Sequence, residues 1–235
     1  IIINKEDFRP ESSVMSKILK VGVPIAFQDG LIQIAFILIT IIANQRGLND
    51  AAAVGIVEKV IGFIFLIPSS MLSSVSALGA QNIGANKPKR AIQTLRYAIM
   101  ITVGFGFTVC LIVQFTAGNI VALFTDQSTK AGAKVVRLGG QYLRGYIFDV
   151  IFAGIHFSFS GYFCAIRKSY LSFIHNIIAI SLVRVPGVYI TSKMFPTTLF
   201  PMGLATAGGS LLSVIICLIA FKIISNQKEP VLVED

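Results

Sequence analysis

The run Met202-GLATAGGSLLSVIICLIAFKI-Ile224 decides how the rest of this chain is read. Its only charged residue is Lys222, close to its end. A bilayer core of about 30 Å takes about 20 consecutive apolar residues as a helix, and this run has that length. A transmembrane barrel strand would be about 10 residues long with strict alternation. Leu211 to Leu218, and Phe36-Ile37-Leu38-Ile39 far upstream, are apolar all round, so helices are predicted. Composition says the same of the whole chain. Of 235 residues, 54% are hydrophobic and 13% charged, with a mean hydropathy of +0.79. Soluble domains carry about 25% charged residues, so this chain has too few to coat a water-facing surface.

Working back from that run, five more emerge between turn and charge signals. The first covers Ile18 to Asn44 and ends at Gln45-Arg46-Gly47. The second, Ala51 to Leu78, follows Asn49-Asp50, which suit an N-cap. Gly79 to Arg90 reads as a polar connection, and the third run spans Tyr97 to Thr116. A short amphipathic helix at 127–137, capped by Asp126 or Ser128, leads into the fourth run, Leu138 to Ala165. The fifth, Tyr170 to Met194, is broken by Pro186. The fold class predicted is an all-α integral membrane bundle of six transmembrane helices. Residues 1–15 read as a cytoplasmic linker, 16–225 as the bundle and 226–235 as a cytoplasmic tail. Ile1 is not a start methionine, so the chain reads as an excerpt that begins in a linker.

The formal net charge is +9. Its Lys and Arg lie mainly between apolar runs, with no basic stripe interleaved with aromatics, which argues against nucleic acid. Lys5, Arg9, Lys17 and Lys20, then Lys87, Lys89, Arg90 and Arg96, then Arg167 and Lys168, fall on one side of the predicted bundle. The positive-inside rule makes that side cytoplasmic, and with it both termini, in a plasma-membrane protein. Cys110, Cys164 and Cys217 each sit in an apolar run and read as buried free thiols. His156 and His175 have no ligand at metal spacing. No nucleophile–base pair, nucleotide loop or metal cluster supports an enzyme.

The second-to-third connection reads Gly79-Ala80-Gln81-Asn82-Ile83-Gly84-Ala85-Asn86-Lys87-Pro88-Lys89-Arg90-Ala91. It resembles the Q-N-x-G-A-x-x-x-x-R-A signature of the multidrug and toxic compound extrusion (MATE) family, carried by Gln81, Asn82, Gly84, Ala85 and Arg90. Lys20-Val21-Gly22-Val23-Pro24 resembles the opening of that family's seventh helix. Arg184-Val185-Pro186 resembles its R-[IV]-P stretch in the eleventh. The resemblance implies twelve helices in two pseudo-symmetric bundles, of which this chain is the C-terminal one. The partner is then the N-terminal bundle of the same transporter, or a second copy. After Gly161 the family continues with a Gly-rich loop, replaced here by Phe163-Cys164-Ala165-Ile166-Arg167. On its own chemistry the connection reads as a fixed elbow: Gly84 for a sharp turn, Pro88 for the first turn of the next helix.

A charge at the bilayer centre costs about 2.5–3.5 kcal/mol on insertion scales, so ionisable residues inside spans are functional candidates. Asp149, Ala153, His156 and Ser160 form one helical stripe, and the carboxylate and imidazole two turns apart make a proton path. Asp149 and His156, with Asp29 in the first span, are the candidate cation-coupling residues, for H⁺ or for Na⁺ at Asp149. Beyond that ion no cofactor is expected. Asp149 could instead be a structural ion pair with Arg184, and Asp29 a structural hydrogen-bond partner. Gln28, Gln33, Asn176 and Arg184 are the candidate lining of a substrate cavity. Glu58 and Lys59 are placed near the outer interface, and His175 at the opposite one. The function expected is secondary export of small amphipathic or cationic drugs by cation antiport. Two alternatives stand beside it: a lipid or polysaccharide-precursor flippase, and a non-transporting scaffold or degenerate half-transporter.

Overall fold

The computed structural model describes residues 11–226. Residues 1–10, most of the expected linker and the home of Lys5 and Arg9, lie outside the described residues, as does the expected tail from residue 227. The described chain is helical throughout: α1 (Ser12–Asn44), α2 (Leu48–Ile64), α3 (Leu66–Gly84), α4 (Pro88–Ala122), α5 (Lys130–Tyr146), α6 (Asp149–Ala165), α7 (Tyr170–Ala179), a π-helical turn (Ile180–Arg184), α8 (Val185–Met194) and α9 (Phe200–Asn226). Five stretches are long and apolar enough to cross a membrane: Ser12–Asn44, Leu48–Gly84, Pro88–Ala122, Tyr170–Met194 and Phe200–Asn226. The pair α5 and α6, bent by 42°, passes the same test when taken together and counts as a sixth if it is one broken span. The predicted all-helical membrane bundle is therefore what forms.

Element ends moved for local reasons. The supposed polar connection from Gly79 is helix as far as Gly84, because its amides stay in the α3 ladder. The chain turns only at Ala85 to Lys87, where Asn86 takes the left-handed conformation (φ 56°) and Gly84 does not. Lys87 N–H donates to Asn82 O at 2.8 Å, closing the helix end. The α6 end is built alike, with Arg167 left-handed (φ 59°) and Lys168 N–H on Phe163 O at 2.8 Å. Pro88 opens α4 as expected. At α2, however, the helix starts a residue before Asn49, with Gly47 at the N-cap and Asp50 already inside the first turn. The cap of α5 is Thr129, whose hydroxyl accepts from Gly132 N–H at 3.0 Å, rather than Asp126 or Ser128.

Prolines are absorbed rather than allowed to break helices. Pro24 sits inside an unbroken α1. A proline cannot donate to the carbonyl four residues earlier, here that of Lys20, and Ser169 Oγ donates to that carbonyl at 3.2 Å instead. The irregularity near Pro186 falls one turn earlier, in the π turn, where the widened ladder accommodates the proline ring.

The expected short amphipathic helix at 127–137 is not separate from the fourth run, since α5 runs from Lys130 to Tyr146 and α6 continues from it after the bend. At the junction Val150 and Ile151 donate to the carbonyls three residues back, Ile147 and Phe148, a tighter 3₁₀-type turn that sets the bend. This bent span is the centre of the bundle: α6 packs on α3, α4 and α9, and α5 on α2, α4 and α9. In lipid, helices associate through close packing at small residues rather than a hydrophobic drive. A Cβ at Gly145 would collide with the backbone of α9, and one at Gly203 with the backbone of α5. A Cβ at Gly161 would meet Leu72 O and Val75 on α3. All three cysteines are free and buried.

Candidate functional site

Asp149 opens α6, directly after the bend, and is fully buried. Its Oδ2 accepts from Arg184 Nη2 at 2.6 Å, and the same nitrogen donates to Ser210 Oγ at 2.9 Å. Asp149 Oδ1 has no partner. Arg184 ends the π turn and is 6% exposed. Its Cα and Cβ lie against Gly209, where any side chain would push them away. Three segments thus converge: the α5–α6 bend brings the carboxylate, the π turn the guanidinium, and a small-residue face of α9 the space for both.

Beside the pair lies a small, partly open cavity of about 30 Å³, lined by Ile32, Phe65, His156, Phe157, Asn176, Ala179, Ile180, Arg184, Gly209, Ser210 and Ser213. One water needs about 10–15 Å³ by this measure, so the space suits a water or two, or one small cation, and no drug. His156 packs edge-on against His175, ring centres 5.4 Å apart. His175 is enclosed within the bundle: α7 packs on α1, α6 and α9, and its Nε2 lies 3.0 Å from Ser160 Oγ. The stripe Asp149, His156, Ser160 on α6 therefore faces Asn176, His175, Ser172 on α7, a buried polar seam running from the ion pair toward the Arg167–Lys168 end.

The candidate residues divide among several places. Asp149, Arg184, His156 and Asn176 come together. Gln28 is buried one turn before Ile32, and neither its amide nitrogen nor its oxygen has a partner. Gln33 is exposed and lines no part of the cavity. Asp29 is exposed and apart from Asp149, in an open cleft of about 450 Å³ between α1 and α3, with Ile25, Leu66, Ser69, Ser70, Leu72, Ser73 and Phe157. Gln81, Gly84, Ala85 and Arg90 are exposed at the α3–α4 turn, far from both, with Asn82 Nδ2 on Leu78 O at 2.7 Å. Pro186 opens α8.

Glu58 was expected near the outer interface. It is half-buried against α1, its Oε2 accepting from Thr40 Oγ1 at 3.1 Å and its Oε1 enclosed without a partner. Sequence reasoning also missed Ser210. Its signal was the spacing Thr206, Ser210, Ser213, one polar stripe on an otherwise apolar helix, and all three are buried.

A family profile, MatE, matches residues 24–190. Over 199 residues the chain is 25% identical to the multidrug export protein MepA of Staphylococcus aureus, covering 84% of this chain and 42% of MepA. It is 28% identical to the probable multidrug resistance protein YoeA of Bacillus subtilis over 120 residues, 51% of this chain and 26% of YoeA. The chain thus spans less than half the length of these curated relatives. In structure it matches a MOP superfamily transporter from Pyrococcus furiosus with a TM-score of 0.87 at 19% identity, over 97% of this chain and 51% of that one. An outward-facing multidrug resistance MATE family transporter of the same superfamily matches with a TM-score of 0.85 at 18% identity, over 97% and 51%. At these identities the likeness is one of fold, a six-helix half of such a transporter.

Proposed function

This chain belongs to the MATE family of membrane transporters, and on that premise we propose that it is the C-terminal bundle of an exporter of small amphipathic cations, driven by H⁺ or Na⁺ antiport. The observation that carries the reading is the buried Asp149–Arg184 pair with one carboxylate oxygen unpartnered, beside a cavity the size of a small cation. A guanidinium does not deprotonate in proteins, so Arg184 keeps its charge. A proton or Na⁺ arriving at Asp149 competes with it for the carboxylate. Once Asp149 is neutralised, Arg184 must find other acceptors, so the loaded and unloaded bundles prefer different packings. A ligand shifts a conformational equilibrium only by such differential interaction. His156, on the cavity wall, hands protons toward the seam.

Asp29 gives the open cleft a single charge, and it is negative. Cations are drawn to it, and aromatic faces hold them by cation–π contact. The exposed serines of α3 make a polar face on a membrane-spanning helix, which suits a surface turned to a second bundle across an aqueous gap and not to lipid. The basic end, with Lys87 to Arg90 and Arg167-Lys168, is then cytoplasmic, and the plasma membrane is the site of action.

A Pyrococcus furiosus relative in fold is described as having a binding pocket of reverse polarity, suggesting a different function. Here Arg184, the group a flippase of anionic lipids would need, is already neutralised by Asp149. Polarity therefore favours cations. The test is efflux of a fluorescent organic cation from vesicles carrying the transporter. Asp149→Asn is expected to abolish gradient-driven efflux while binding of the dye persists. Unchanged efflux would remove Asp149 from coupling.

A further inference from the structure

The cavity beside Asp149 and the cleft that holds Asp29 lie back to back. On α1 the boundary passes between Asp29, on the cleft, and Ile32, on the cavity. At the α2–α3 junction it passes between Leu66 and Phe65, which line the cleft and the cavity in turn. One residue lines both: Phe157 of α6. It is 7% exposed, and its ring centre lies 4.7 Å from that of His156, tilted by 34°. Phe157 cannot swing aside with its helix, because one turn on, Gly161 already meets α3 at backbone contact.

We propose that Phe157 is the partition between the two compartments, a single aromatic ring that keeps the coupling ion at Asp149 from the substrate cleft at Asp29 and lets each side sense the other. This rests on the antiport reading above. The charged and titratable groups facing the ring are Asp29 on the cleft side and, on the cavity side, His156, Arg184 and behind it Asp149. An antiporter must not let its coupling ion run down its gradient without substrate. An apolar ring between two polar spaces blocks water, because water needs polar partners to stay in an enclosed site. An organic cation paired with Asp29 also lies against the cleft face of the same ring, which presses on the imidazole beyond. Remove the ring, and the open cleft joins the cavity as one wet path to Asp149.

The experiment is ion flux into liposomes carrying the transporter and a trapped pH-sensitive or sodium-sensitive dye, with and without an organic cation. Phe157→Leu, which still fills most of the space, is expected to stay near the wild-type leak. Phe157→Ala is expected to raise substrate-independent flux of the coupling ion at least tenfold and to weaken its stimulation by substrate. A melting profile like the wild type's shows that the variant is folded; if Phe157→Ala does not fold, Phe157→Val is expected to give an intermediate leak. A folded small-residue variant that leaks no more than the wild type overturns the partition. Wild-type protein with no substrate-stimulated ion flux at all overturns the antiport reading, and the partition with it.

Discussion

Among the described residues two Arg–Asp pairs of the same chemistry are placed in opposite ways. At the bundle rim Arg46 Nε donates to Asp50 at 2.8 Å, within one helical turn. Its other two nitrogens donate to the carbonyls of Ser192, Phe195, Pro196 and Thr198, tying the α1–α2 turn to the α8–α9 turn. Arg184 in the centre donates to Asp149 and Ser210 from one nitrogen, and the second oxygen of Asp149 is left over. The rim pair has every acceptor it can use and nothing to exchange. The central pair is under-satisfied beside a small cavity, which is the condition for admitting another cation. A satisfied guanidinium fastens; an under-satisfied one switches.

The comparison breaks first at the central pair. Removing one partner of a buried ion pair strands the other charge at a cost of about 3–5 kcal/mol. Arg184→Gln is therefore expected to lower the melting temperature severely, and Asp149→Asn with Arg184→Gln to recover much of the loss. Singles no worse than the double, in thermal unfolding of the detergent-solubilised protein, would show the pair to be solvated. At the rim, Arg46→Ala is expected to cost about 2 kcal/mol, the scale of hydrogen bonds to a charged group. Transport per folded molecule should not change, and Arg46→Lys should rescue little, since an ammonium lacks the planar fork. A coupling defect in Arg46→Ala, measured as ions moved per substrate, would erase the distinction.

The smallest effect is expected at Asp126, in the exposed α4–α5 turn, where Ser128 N–H and then Ser128 Oγ hold its carboxyl below the usual carboxylate range. A depressed folded-state value means any stabilisation is present at neutral pH and fades as pH falls through the acid range. Asp126→Asn should melt like the wild type at neutral pH, because a solvated loop contact is nearly matched by water.

Spans, their number and the family were legible because apolar length and a local motif are properties of consecutive residues. The two carboxylates were not distinguishable by such means. Asp29 and Asp149 both stand in apolar runs, and only the packing of α6 on α9, against that of α1 beside α3, sends one inward and one into an open cleft. The pairing of Asp149 with Arg184 was in view as one alternative, but not Ser210, whose side chain arrives from a third helix. The closeness of His175 in sequence to Arg167-Lys168 gave no sign of its partners, which come from the packing of α7 against α6. Gly79 to Gly84 looked like a loop because its composition is polar, yet backbone hydrogen bonding carried α3 through it.

The enclosure of Cys110, Cys164 and Cys217 has a practical consequence. None offers an exposed thiol to a water-soluble maleimide, so a single cysteine placed at an exposed site such as Gln33, or at Leu66 on the cleft, would be labelled over little background. With both sites substituted, distances between spin or fluorescent probes report motion of the cleft in a bundle whose three native cysteines are retained.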